Sequence, residues 1–175
     1  IAFMGSRDGR SGIFIRDVVS GAERFLVAPP QTDHWLGRSP KNWAWSPDGS
    51  MIAYVAADGP APEPTDGPSA FSRIMFKTRT GFSDNRKSHV YVIPSAGGAA
   101  KCLTCGDYDE HSIAWASDSK RIAFVSDRSR DPDNTYANDI FTVTVSTGVL
   151  TQVTKTPSAE FSPHFSPDGE WITLE

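Results

Sequence analysis

The sequence predicts an all-β chain: a partial β-propeller of four-stranded antiparallel blades. Three observations carry this. The stretch Asn42 to Ala56, N-W-A-W-S-P-D-G-S-M-I-A-Y-V-A, recurs from Ser112 to Ser126 and from Ser162 to Leu174. The equivalent isoleucines Ile1, Ile52, Ile122 and Ile172 stand 51, 70 and 50 residues apart, a period that marks propellers and arrays. A Gly-centred hairpin follows each of the earlier copies, so the repeating unit has four strands, which is one blade.

Taken in order, Ile1-Ala2-Phe3-Met4 is the second strand of a copy whose first strand is missing. Ser11 to Pro29 is a hairpin turning at Gly21. In the next copy Trp43 and Trp45 alternate with smaller residues, as a pleated strand requires. Ser46-Pro47-Asp48-Gly49 is turn chemistry: Pro presets φ, Asp bonds nearby backbone, and Gly accepts φ > 0. Met51 to Ala56 is a continuous apolar run, expected to be buried on both faces. Ala53 and Ala123, flanked by large residues, are expected at close-packed contacts between blades.

The middle copy is longer. Asp58 to Pro68 holds four prolines and is expected to form a mobile loop. Phe71 to Phe82 then resumes a strand pattern, with Ile74 and Phe76 alternating against Arg73, Met75 and Lys77. With Arg79, Asp84, Arg86, Lys87 and His89 the extension is strongly charged. It reads either as a solvated hairpin or as a segment facing a substrate cavity or partner domain. Ser88 to Gly106 is the next hairpin, turning at Gly97-Gly98, and Asn138 to Thr154 the last, turning at Gly148. These readings divide the chain into a partial blade at 1–30, a blade with the hairpin insertion at 31–106, a blade at 107–156 and a partial blade at 157–175. Both ends cut a blade, so the chain reads as a piece of a larger propeller.

Composition narrows the function classes. The net charge is −4, from 17 basic and 21 acidic residues, which gives no electrostatic case for nucleic acid or an anionic membrane. No apolar run reaches the length of a membrane span. The compartment stays open, with a soluble chain in the cytoplasm preferred over the periplasm.

Motifs for chemistry are sparse. Cys102 and Cys105 form a lone C-x-x-C without the βαβ context of a redox motif or the four ligands of a zinc site. They are read as structural thiols. Asp107-Tyr108-Asp109-Glu110 lacks the spacing of a calcium loop and is read as a solvated link between blades. His34, His89, His111 and His164 sit in no H-E-x-x-H pattern, and there is no G-x-S-x-G nucleophile elbow. Trp45, Trp115 and Phe165, at repeat positions, are expected to be core. No catalytic residue, cofactor or metal site is expected.

The pattern A-W-S-P-D-G…I-A-F-V-S-D-R, carried by Ala44 to Val55, Ala114 to Arg128 and Phe165 to Leu174, resembles the repeats of TolB-like proteins and of the prolyl oligopeptidase family. It is degenerate at Ala116-Ser117-Asp118-Ser119, where Pro and Gly are lost. The middle extension, from Arg73-Ile74-Met75-Phe76-Lys77 through Gly81-Phe82-Ser83-Asp84 to His89-Val90-Tyr91-Val92, resembles the acylaminoacyl-peptidase type. So does Leu103-Thr104 followed by Gly106-Asp107-Tyr108-Asp109. That resemblance implies a parent serine peptidase whose propeller caps a C-terminal α/β-hydrolase domain absent from these residues. The propeller would admit short or N-acylated peptides and exclude folded proteins. Arg79 and Arg86 are then candidates for gating the substrate. The alternative reading is a TolB-like scaffold that binds protein partners with no attached enzyme.

Overall fold

The structure, a computed structural model, describes residues 1–30, 42–60, 63, 67–68, 70–73 and 85–175. Its strands are β1 (Ala2–Arg7), β2 (Arg10–Arg16), β3 (Glu23–Val27), β4 (Trp43–Trp45), β5 (Met51–Ala57), β6 (Ser88–Pro94), β7 (Lys101–Cys102), β8 (Glu110–Trp115), β9 (Arg121–Ser126), β10 (Asp139–Thr144), β11 (Leu150–Gln152), β12 (His164–Phe165) and β13 (Ile172–Thr173). One short helical turn, α1 (Pro132–Thr135), lies between β9 and β10. The strands form four antiparallel sheets in the orders β1-β2-β3, β4-β5-β6-β7, β8-β9-β10-β11 and β12-β13. The middle two are whole four-stranded blades and the outer two are incomplete, as the repeat pattern predicts.

Period-two alternation assigns each face of a blade to a different neighbour. In the β5–β6 hairpin, Ile52, Tyr54, Ala56 and Ile93 pack toward the first blade, against Ile13. Their neighbours Ala53, Val55, Val90 and Val92 pack the other way, into a core shared with Ile113, Trp115, Ile122, Phe124, Phe141 and Val143 of the third blade. There the pattern repeats: Ala123, Val125 and Ile140 turn toward Phe161 and toward Phe165 and Ile172 of the last sheet. β5 is buried along almost its whole length, so its apolar run needs no polar face. Trp115 is buried in one core, and Trp45 and Phe165 are half-buried against the other two.

The hairpin turns explain the Ser-Pro-Asp-Gly repeat. The Ser46 hydroxyl donates to Asp48 at 2.6 Å and accepts the Met51 N–H at 2.9 Å, while Asp48 accepts the Ser50 N–H at 3.0 Å. These hydrogen bonds, led by that of Ser46, hold the Asp48 carboxyl at about 2. Ser166, Asp168 and Trp171 repeat the arrangement. At the third blade Ala116 has no hydroxyl to bridge the turn. Ser119 takes the glycine's place there at φ 57°, against 71° at Gly49 and 74° at Gly169.

Three expectations need correction or limitation. Cys102 and Cys105 are joined as a disulfide, not held as thiols; the chain bends after β7 and brings their Cα atoms to 5.9 Å, within bridging reach. The run Asp107–Glu110 is solvated only in its first half: Asp109 and Glu110 are buried. Of the segment expected to resume a strand, Phe71–Phe82, only Phe71, Ser72 and Arg73 are described. They are not strand, and the rest lies outside the described residues, as do Arg79 and parts of Asp58–Pro68.

Candidate functional site

A buried ionic joint forms where the middle blade meets the third. It sits at the ends of the blades where β5 and β9 finish and β6 and β8 begin. Antiparallel pairing places Ser88 opposite Ala57 and Glu110 opposite Ser126, so these chain ends share one edge.

Asp109 organises one half. Its Oδ2 lies 2.5 Å from Arg73 Nη2 and 3.4 Å from Lys87 Nζ, and its Oδ1 accepts the Ser88 N–H at 2.9 Å. Arg73 also reaches Asp133 of α1 at 3.5 Å and donates to the Arg86 carbonyl at 3.4 Å. Burial pushes the Asp109 carboxyl up, but the Arg73 and Lys87 charges and the Ser88 N–H outweigh it and leave it below the usual carboxylate range. Arg73, which the sequence pattern sets against Ile74 and Phe76, is thus buried in an ion pair with Asp109.

Glu110, with 0% of its surface exposed, organises the other half. Its Oε2 lies 3.0 Å from His89 Nδ1 and accepts the Thr104 hydroxyl at 2.8 Å, while Oε1 accepts from Arg128 Nη2 at 2.6 Å. Burial dominates, and pushes the Glu110 carboxyl above its ordinary value despite these partners. Thr104 also accepts the Val90 N–H at 2.9 Å. Arg128 lies over the rings of Tyr108 and Phe141, each at 5.1 Å. Adjacent carboxylates thus sit in one joint and are shifted in opposite directions.

The candidate gating residues are placed unevenly. Arg79 lies outside the described residues. Arg86 is half-buried, and its Nη1 donates to the Gly59 carbonyl at 3.1 Å. Its backbone belongs to the joint through Arg73, so the charged extension is tied to the blade boundary. Among the described residues no group of His, Cys, Asp and Glu side chains could hold a metal ion, and no helix is long and apolar enough to cross a membrane.

Sequence reasoning missed the joint. Its members come from Arg73, Lys87, His89, Thr104, Asp109, Glu110 and Arg128, and no local spacing links them. The available signal was weak: a polar residue standing at the mouth of an apolar strand, as His89 and Glu110 do.

The four-stranded antiparallel sheets, packed side by side, define a partial β-propeller. Residues 66–175 match the family model of the dipeptidyl peptidase IV (DPP IV) N-terminal region, and the chain belongs to that family. An uncharacterized protein of Agrobacterium fabrum is 26% identical over 148 residues, covering 73% of this chain and 47% of that protein. Among solved structures, the acylaminoacyl peptidase of Pyrococcus horikoshii matches 99% of the chain with a TM-score of 0.64 and 18% identity. TolB from Acinetobacter baumannii matches 99% with a TM-score of 0.59 and 17% identity. These two share the fold. The chain spans about half the length of the curated relative it matches, and 25% and 34% of the two structures.

Proposed function

We propose that the chain is the non-catalytic propeller portion of a serine peptidase of the prolyl oligopeptidase family. On this reading it caps a C-terminal α/β-hydrolase domain of the same parent protein and restricts the active site to short or N-acylated peptides. The observation that carries the reading is the family match from residue 66 onward, which takes in the extension as well as the later blades. The ionic joint supplies the physical means. A gate that excludes folded proteins must not yield when a large substrate presses on it, and Arg73 binds the extension to two carboxylates of the next blade. The propeller's contribution is then size selection and exclusion of water. Arg79 and Arg86 would offer positive charge to a peptide carboxylate or to a facing acidic residue. The disulfide supports an oxidising compartment over the cytoplasm that the sequence favours. The TolB likeness supports the second reading, a binding scaffold without an enzyme.

The test uses the full-length protein. A fluorophosphonate probe should label one serine outside residues 1–175, and kcat/KM should fall as peptide substrates lengthen. Arg79→Ala with Arg86→Ala should flatten that length dependence. A full-length protein that takes no label and cleaves no peptide removes the peptidase reading and leaves the scaffold.

A further inference from the structure

At the opposite end of the same blade boundary the packing opens into a cavity of about 410 Å³. Met51, Val92, Pro94, Ala99 and Val145 give it an apolar wall. It lies between the two complete blades. Its size is within the range of small-molecule sites, and it equals the volume of about fourteen liquid waters.

The charged groups at this cavity have one sign. Among the described residues Lys101 and Lys120 line it, with Ser119 and Ser146 as neutral polar neighbours and no Asp or Glu. The Lys101 ammonium is fixed by the Val145 carbonyl at 2.9 Å and the Ser146 carbonyl at 3.2 Å. An ammonium has three donors, so one remains for a further acceptor while the full charge is kept. The carboxylates of the adjoining turns are already held. Asp48 accepts from Ser46 and Ser50, and Asp118 accepts the Lys120 N–H at 2.8 Å and Arg121 Nε at 3.2 Å.

We propose that this cavity binds a small free carboxylic acid with an apolar body, about a dozen heavy atoms in all. The body buries its apolar surface against the side chains of Met51, Val92 and Val145. The carboxylate takes the remaining donor of Lys101 and faces the Lys120 charge in a charge-assisted contact. Charge complementarity selects the anion, and the apolar wall rejects small inorganic ones.

Methyl NMR of the full-length protein, with decanoate as the probe, tests this. Decanoate should move the methyl signals of Met51, Val92 and Val145 saturably, and 1-decanol should bind at least about tenfold more weakly, the effect of one charge-assisted contact. Ala99 is exposed, so Ala99→Phe fills the cavity without disturbing the core and should abolish the shifts. Lys101→Met with Lys120→Met should reduce decanoate to the affinity of decanol. The proposal is overturned if those methyls stay fixed up to the solubility limit of decanoate. Equal binding of decanol, or unchanged binding by Ala99→Phe, overturns it too. Stronger binding of the tripeptide Ala-Ala-Leu than of decanoate would move the site to peptide C-termini and overturn the free-acid assignment.

Discussion

The Arg73 guanidinium lies 2.5 Å from the Asp109 carboxylate, joining residues 36 apart in sequence across a blade boundary. Both side chains are nearly sealed from water, at 5% and 8% exposure. Removing one partner of such a pair strands the other charge, and this costs more than the pair itself contributes. Arg73→Met should therefore destabilise the protein by about 3–5 kcal/mol, toward the lower end because Lys87 still faces Asp109. Arg73→Met with Asp109→Leu should recover most of the loss. Urea denaturation measures both, and an unchanged midpoint for the single variant would show that the pair does not hold the extension.

Glu110 gives the joint a pH dependence. Its folded carboxyl is raised by burial, so the folded state holds its proton more tightly than the unfolded chain does. Stability from this group is full below the ordinary glutamate value and falls as pH rises toward the raised one. Asp109 has the opposite sign: its lowered value adds stability above the ordinary aspartate range, which is lost as pH falls. Glu110→Gln should remove only the first effect. The stability difference between variant and parent should then move in the variant's favour as pH rises above the ordinary carboxylate range. A difference that stays constant from acid to neutral pH contradicts this.

Ser119 occupies a left-handed backbone position that the other repeats give to glycine. A side chain there costs roughly 1–2 kcal/mol. In return the Ser119 hydroxyl accepts the Asp48 N–H of the neighbouring blade at 3.1 Å. Ser119→Gly relieves the strain and loses the contact, so the stability should change by less than about 0.5 kcal/mol. Ser119→Val keeps the strain, adds β-branching and loses the contact, and should cost about 1–2 kcal/mol. Thermal denaturation separates them, and a neutral Ser119→Val would exclude this account of the turn.

The fold was legible because it is written locally. Ile52, Ile122 and Ile172 recur at a blade's period, and alternation along Met51–Ala57 follows directly from the pleat. The joint was not legible because its chemistry is non-local. Nothing near Glu110 announces that His89, Thr104 and Arg128 converge on it. The acidic run was misread for the same reason: four polar residues look solvated until Arg73 and Arg128 are brought over two of them. The cysteines were misread because their pairing depends on a bend after a strand only two residues long.

The Cys102–Cys105 disulfide closes a small ring around Leu103 and Thr104. A ring so short restrains the unfolded chain modestly, by about 2 kcal/mol. Its more specific effect is on Thr104, which bridges Glu110 and the Val90 N–H. Reduction, or Cys102→Ser with Cys105→Ser, should lower stability by that amount and quicken amide exchange at Val90 and Leu103. Exchange in the first blade should stay as it was. Equal acceleration everywhere would mean that the ring stabilises the fold globally and does not position Thr104.

Ala123 tests whether blades are packed by shape or only by hydrophobicity. It is fully buried on β9, opposite Ala114 of β8 and Thr142 of β10. It belongs to the core against which Phe161, and Phe165 and Ile172 of the last sheet, pack. A leucine there adds three carbons where the next blade already fills the space, and should cost roughly 1–3 kcal/mol. Phe165 is only half-buried, so Phe165→Ala opens room on the same side. If the cost is overpacking, Ala123→Leu with Phe165→Ala should lose less than the sum of the single losses, because the leucine enters the space the ring vacates. Strictly additive losses in chemical denaturation would place Ala123 away from the Phe165 contact and undo the assignment of this face to the blade boundary.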